Sequence, residues 1–174
     1  DQVAALSDQI SVEEVNVVLD KERAAEFGID RAPAIAVVGK NDVGMRYYGT
    51  PSGYELASLF DAVLLAGSGD LGLAEDSLER LQALEQPIDI KVFVTPTCAY
   101  CPKAVSLAYR FAAASPLVTA TAIEATEFPD LAREFQVSGV PKTVANGSVE
   151  ILGAQPEGEF LSHILDAVVE APLG

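Results

Sequence analysis

An internal repeat restricts the fold of this chain more than any other feature of its sequence. The segment Phe27–Pro33 (FGIDRAP) aligns with Phe135–Pro141 (FQVSGVP), 108 positions further along. Two more segment pairs follow in the same order: Gly49–Leu56 with Gly153–Phe160, and Asp61–Val63 with Asp166–Val168. Ordered similarity of this extent predicts two copies of one supersecondary unit. We therefore predict a first unit over 1–68 and a second over 69–174.

The second copy predicts the order α-β-α-β-α-β-β-α. Its apolar patterns and turn residues predict helices over 73–84, 98–113, 130–135 and 159–169, and strands over 88–95, 117–124, 142–145 and 149–152. Asn146-Gly147 is a strong signal for a two-residue hairpin turn between the last two strands.

The first copy contains only the later parts of this unit. We expect a strand over 15–19, a short helix over 21–27, a hairpin of strands 34–38 and 45–48, and a closing helix over 52–65. The segment Asp1–Ile10, with apolar Val3, Leu6 and Ile10, resembles the tail of a helix. The first strand of this unit, and any cysteine pair it carried, have no counterpart here.

Composition limits the function classes. Hydrophobic residues make up 49% of the chain, enough to bury a core, and the net charge of −15 argues against nucleic acid and anionic membranes as partners. No apolar run approaches the roughly 20 residues that span a bilayer. We recognise no signal peptide, although a start at Asp1 without Met fits a processed or trimmed chain.

The chemistry centres on Cys98-Ala99-Tyr100-Cys101, which holds the only two cysteines. An apolar strand pattern, Ile90–Val94, precedes this motif and a helical pattern, Lys103–Ala112, follows it. The spacing lets the sulfurs bond across one turn, and the start of a helix favours thiolate over thiol. A single pair of this kind is typical of a redox-active protein, and we expect a cytoplasmic one.

The same pair allows a division of roles. Cys98 lies nearer the helix start and solvent, so we expect it to be the nucleophile, with Cys101 resolving the mixed disulfide. The alternative is a pair of inert, buried thiols. Zinc needs about four ligands, and the one histidine, His163, lies far away on a predicted surface helix. We therefore expect neither a metal nor another cofactor.

Four segments carry a resemblance to a known family: Val92–Pro102, Ile29–Ala34, Arg46–Gly49 and Val140–Lys142. The chain resembles the two-domain, glutaredoxin-like protein disulfide oxidoreductases, which consist of two thioredoxin folds in tandem. A weaker similarity links it to the N-terminal domain of the flavoprotein that reduces alkyl hydroperoxide peroxiredoxins. The resemblance implies an α/β fold of tandem thioredoxin-like units, with three α/β/α layers and a mixed sheet.

The resemblance also implies site residues. Cys98 and Cys101 would be the catalytic pair, Pro141 a cis proline beside the disulfide, and Pro33 a second, structural cis proline. Val140 would present backbone groups to an extended substrate segment, in the manner of strand addition. Tyr100 would either stack near the substrate or cover the sulfurs.

Three features complicate the resemblance. Ala99 stands where the family usually has proline, which leaves the preferred direction of the reaction open. Pro102 falls inside the predicted helix, where we expect it to cause a kink. The missing first strand is central in a thioredoxin fold, so we expect a gap filled by upstream residues, by another chain or by rearrangement, and we favour upstream residues.

The leading functional hypothesis is a thiol–disulfide oxidoreductase acting on protein disulfides, with a thioredoxin-reductase-like flavoprotein or a peroxiredoxin as further partners. One alternative is an electron carrier from a flavin reductase to a peroxiredoxin. Another is a module that holds a [2Fe–2S] cluster between two chains. We expect the other polar residues to be ordinary, with solvated side chains at Lys103, Lys142, Glu124 and Glu127, and a core or covering role for Tyr47-Tyr48.

Overall fold

The structure, a computed structural model, describes residues 2–169, which fall into two compact units, one ending at Ala32 and the other beginning at Pro33. The first unit contains a 3₁₀-helix, Ala4–Leu6, and helix α1, Lys21–Glu26. The longer helical tail predicted for Asp1–Ile10 is thus wrong for the described part of that segment.

The strand predicted over 15–19 is also wrong, because Asn16 organises a turn there. Its side-chain oxygen accepts the backbone N–H groups of Val18 (2.9 Å) and Leu19 (3.1 Å), and its carbonyl accepts that of Asp20 (2.7 Å). Asparagine side chains that bind nearby backbone in this way compete with strand pairing.

The second unit follows the predicted order of elements. Its strands are β1 (Ala34–Val37), β2 (Met45–Tyr48), β3 (Ile88–Val94), β4 (Val118–Glu124), β5 (Lys142–Ala145) and β6 (Val149–Leu152). Its helices are α2 (Glu55–Ser68), α3 (Glu75–Gln82), α4 (Cys101–Ala114), α5 (Pro129–Glu134) and α6 (Glu157–Val169). From α3 onward, no predicted end is displaced by more than three residues.

The six strands form one mixed sheet in the order β1-β2-β4-β3-β5-β6. The central strands β2, β4 and β3 are parallel, while hairpins β1–β2 and β5–β6 are antiparallel. Each hairpin begins with the same contact, since Gly49 N–H donates to the Pro33 carbonyl and Gly153 N–H to that of Pro141, both at 2.9 Å. The two hairpins are therefore structurally equivalent, as the repeat predicts.

Helices cover both faces of this sheet, which gives three α/β/α layers. On one face, α2, α3, α4 and α6 enclose the larger core, which includes fully buried Phe111 and Phe160. On the other face, α5 covers a smaller core around Phe93 and Ile123. Strand β3 contributes to both cores, which explains its nearly continuous apolar sequence.

Pro102 does not produce the expected kink. The helix begins at Cys101, so Pro102 lies in its first turn. The N–H that proline lacks has no helical partner at this position, and proline is therefore tolerated there. Among the residues described, no helix is both long and apolar enough to cross a bilayer.

The larger core provides a test of the fold. Phe160 is fully buried and its ring lies 5.8 Å from that of Phe111. We expect Phe160→Ala to lower the free energy of unfolding by about 3–5 kcal/mol, because it removes a large apolar group and leaves a cavity. Leu152→Ala, at an exposed position, should change it by less than about 0.5 kcal/mol. Urea unfolding of the two variants would check this, and equal losses would contradict the assignment of the core.

Candidate active site

The two cysteines form a disulfide at the start of α4, with their Cα atoms 5.5 Å apart. Cys101 is fully buried, whereas Cys98 is partly exposed. The backbone N–H of Cys101 donates to Sγ of Cys98 at 3.2 Å. In the reduced protein, this donor and the positive end of the helix favour a thiolate on the sulfur that solvent can reach.

Backbone contacts hold Cys98 at the carboxyl end of β3. The strand ends at Val94, and the Cys98 N–H donates to the carbonyl of Thr95 at 3.2 Å. The disulfide therefore lies at the edge of the sheet where the parallel strands end.

Val140 and Pro141 lie at the same edge. The peptide bond between them is cis, and the β3–β5 register pairs Phe93 with Lys142. Continuing along the chain toward Val140 thus leads to the level of the turn before Cys98. Val140 also contacts both cores at its position between them.

The second cis proline, expected at Pro33, is not found, since Val140–Pro141 is the cis bond within residues 2–169. The resemblance extended to the hairpin pairing of Pro33 but not to its peptide geometry. A trans bond is the favoured state before proline, and the Pro33 carbonyl still makes its ladder hydrogen bond.

Tyr100, between the two cysteines, has 69% of its surface exposed. Most of the ring therefore faces solvent beside the disulfide, and Tyr100 does not bury the sulfurs. The structure thus brings Cys98, Tyr100, Cys101, Val140 and Pro141 to one edge of the sheet.

Glu55 is a buried carboxyl that sequence reasoning missed. Its side chain is 0% exposed; Oε1 accepts the hydroxyl of Ser58 at 3.2 Å, while Oε2 has no hydrogen-bond partner among the described residues. Burial raises the pKa of Glu55 to about 7, opposed by the Ser58 hydrogen bond and assisted by the nearby carboxylate of Glu124. A carboxyl of this kind exchanges its proton near neutral pH.

Two contacts place Glu55 level with the start of α4. The N–H of the preceding residue, Tyr54, donates to the carbonyl of Pro96 at 2.9 Å, in the turn before Cys98. Further along, Asp61 on α2 accepts the hydroxyl of Ser106 on α4 at 2.7 Å. Because α2 and α4 both run back from the carboxyl edge of parallel strands, these contacts align the first turns of the two helices.

The same region contains two more buried polar groups. The Tyr47 hydroxyl has no partner among the described residues, and its pKa is raised first by burial and then by Glu55, Glu124 and Glu127. Glu124 is only 2% exposed and accepts hydrogen bonds from Thr126 and from the Glu127 N–H. The expected solvated position is therefore wrong for Glu124, while Glu127 is exposed and accepts the Thr50 N–H at 2.7 Å.

A pattern in α2 would have indicated that Glu55 is buried. The buried face of this helix consists of Glu55, Ser58, Ala62 and Leu65. Small residues at helical spacing allow close approach to α4, and a glutamate at the head of such a face is buried with it. The repeat gave no such signal, because the counterpart Glu159 is exposed.

Comparisons with known proteins agree with this geometry. A family profile described as a thioredoxin domain matches residues 88–166. Residues 88–166 are a thioredoxin-like domain. The mixed α/β fold and the Cys98–Cys101 disulfide make this chain a thioredoxin-fold redox protein, and the expected fold class is confirmed.

Solved structures match the thioredoxin-like fold over most of the chain. The alkylhydroperoxide reductase AhpF of Enterococcus faecalis matches with a TM-score of 0.87 at 28% identity, over 94% of this chain and 79% of that one. A protein disulfide oxidoreductase from Aeropyrum pernix matches with a TM-score of 0.76 at 32% identity, over 85% of this chain and 65% of that one.

The curated relatives are longer proteins. The alkyl hydroperoxide reductase AhpF of Pseudomonas aeruginosa is 28% identical over 142 residues, which cover 82% of this chain and 26% of the relative. The chain thus matches about a quarter of the length of that protein.

The burial of Glu55 predicts a pH-dependent stability. Between the ordinary pKa of 4.5 and the folded value of about 7, the folded state binds the proton more tightly, so the unfolding free energy falls as pH rises. Relative to Glu55→Gln, the oxidised wild type should lose about 2.5 kcal/mol between pH 5 and pH 8. Urea unfolding at both pH values would measure this, and parallel curves for the two proteins would contradict it.

Proposed function

We propose that this protein is a thiol–disulfide oxidoreductase that acts on protein disulfides through Cys98 and Cys101. One observation carries the proposal: the partly exposed Cys98 sulfur accepts a helix N–H and is bonded to the buried Cys101. This asymmetry fits an attacking thiolate at the surface and a resolving thiol one turn inward.

The reaction proceeds in two exchanges. The Cys98 thiolate attacks one sulfur of the substrate disulfide, a mixed disulfide forms, and the other substrate sulfur leaves as a thiolate and takes a proton from water. Cys101 then loses its proton and attacks Sγ of Cys98, which releases the second substrate thiolate. The substrate gains two electrons, the protein retains the Cys98–Cys101 bond, and an external dithiol or a flavoprotein restores the reduced pair.

The substrate segment docks beside Val140 and Pro141. These residues share the sheet edge with the disulfide, and the backbone of Val140 offers hydrogen bonds to an extended chain. Tyr100 adds an exposed ring next to the sulfurs. Extended segments of unfolded or loosely folded proteins fit this edge.

Glu55 accepts the proton of Cys101 in this scheme. Cys101 is buried, and the carboxyl of Glu55 is level with it on the neighbouring helix. A pKa of about 7 suits a group that takes up and returns a proton at neutral pH.

A second candidate function is electron transfer from a flavin reductase to a peroxiredoxin. The observation in its favour is the match over 94% of this chain to a structure of the alkylhydroperoxide reductase AhpF. Rates measured with a flavoprotein reductase and a peroxiredoxin, against rates with insulin, would separate the two. Both functions belong in the cytoplasm, where dithiols stay reduced, and neither changes the proposed division into copies 1–68 and 69–174.

Cysteine variants test the proposed function. With dithiothreitol as donor, Cys98→Ser should reduce insulin no faster than dithiothreitol alone, since it lacks the nucleophile. Cys101→Ser should accumulate a mixed disulfide with the substrate, visible by intact mass. Turnover by Cys98→Ser at the wild-type rate would refute the function.

Glu55→Gln tests the proton acceptor. We expect release from the mixed disulfide to slow by about 10²-fold at pH 7, the range of general base catalysis. The wild-type rate should rise with pH through about 7, where Glu55 loses its proton, and the variant should lack this step. The exposed repeat counterpart gives a matched control, Glu159→Gln, which should retain the wild-type profile. A profile unchanged in Glu55→Gln would exclude the role.

A further inference from the structure

Lys142 is a buried lysine whose ammonium group is fully engaged. Only 4% of the residue is exposed, contrary to the solvated side chain expected from sequence. Its Nζ donates to the carbonyls of Phe135 (2.7 Å) and Gln136 (3.2 Å) and pairs with Oε1 of Glu150 (3.0 Å). Three acceptors match the three protons of an ammonium group.

These contacts hold one short segment at both ends. The backbone of Lys142 begins β5, directly after Val140 and Pro141. Its side chain reaches back to the two carbonyls that follow α5, where the segment 137–141 starts. A single residue thus connects the end of a helix to the start of a strand across the substrate-facing segment.

The backbone at the far end needs this support. Gln136 has a φ of 52°, in the left-handed region that residues other than glycine seldom adopt. The Lys142 ammonium binds the carbonyl of this same residue. Without the ammonium, two carbonyl groups beside the α5 cap would lose a charged donor that surrounding side chains do not replace.

We propose that Lys142 is a positioning residue that fixes Val140 and Pro141 in the conformation that receives the substrate chain. The inference rests on the proposed function and extends it to the affinity for extended protein substrates. Lys142 does not contact the sulfurs. Its loss therefore weakens docking of a polypeptide and leaves the exchange chemistry itself intact.

The variants Lys142→Arg, Lys142→Gln and Lys142→Met remove the donors in steps. The arginine keeps the charge and several donors, the glutamine keeps one amide group, and the methionine keeps only an apolar stem. Lys40→Met, at an exposed lysine in the β1–β2 hairpin, is the control for loss of one positive charge. Each protein is assayed with insulin and with bis(2-hydroxyethyl) disulfide, which is too small to pair with the segment.

We expect the KM for insulin to rise from wild type through Arg and Gln to Met, reaching about tenfold, the scale of a modest misplacement of a docking group. The kcat for insulin and the rate with the small disulfide should stay within about twofold. Hydrogen exchange should increase in peptides that cover 137–141 and remain unchanged elsewhere. If Lys142→Met does not fold, the Arg and Gln variants give the same comparison.

An insulin KM that stays at the wild-type value in the folded Gln variant would overturn the inference. An equal loss with both substrates would also overturn it, because it would mean that Lys142 supports the redox centre as a whole. The cysteine variants distinguish this failure from failure of the proposed function: if insulin reduction depends on Cys98 but not on Lys142, only the positioning role is lost.

Discussion

The hydrogen bond from the Cys101 N–H to the Cys98 sulfur is the interaction on which the rest of the site depends. It exists because α4 begins at Cys101 and the preceding turn returns Cys98 to the helix axis. Both conditions follow from the position of β3, which pairs with β4 and β5 and ends below the disulfide. The central strand thus fixes the chemistry through the point at which it stops.

Buried polar groups gather at this end of the sheet, and each has a specific environment. Glu55 and Tyr47 lie where the hairpin and helix of the first copy join β4 and α4 of the second. Their burial lowers stability at high pH, so the site retains a carboxyl that an apolar side chain would replace at a gain in stability. Proteins accept such losses at sites where a group must change its protonation state.

On the opposite face of the sheet, Lys142 follows a different principle. Its charge is neutralised by two carbonyls and a half-exposed carboxylate, and its role is mechanical. Phe93, its partner in β3, belongs to the smaller core that α5 covers. Through Lys142, the end of α5 and the start of β5 form one support for Val140 and Pro141.

The sequence by itself determined the order of elements in the second copy, the equivalence of the two hairpins and the cysteine pair, because periodicity, turn residues and motif spacing are local signals. It did not determine the turn at Asn16, the trans bond at Pro33 or the burial of Glu55, Glu124 and Lys142. Burial of a charged residue depends on which helix packs over it, and the choice among local conformations depends on which partners remain for the backbone. Only the tertiary structure decides these, because they are properties of contacts between segments far apart in the chain.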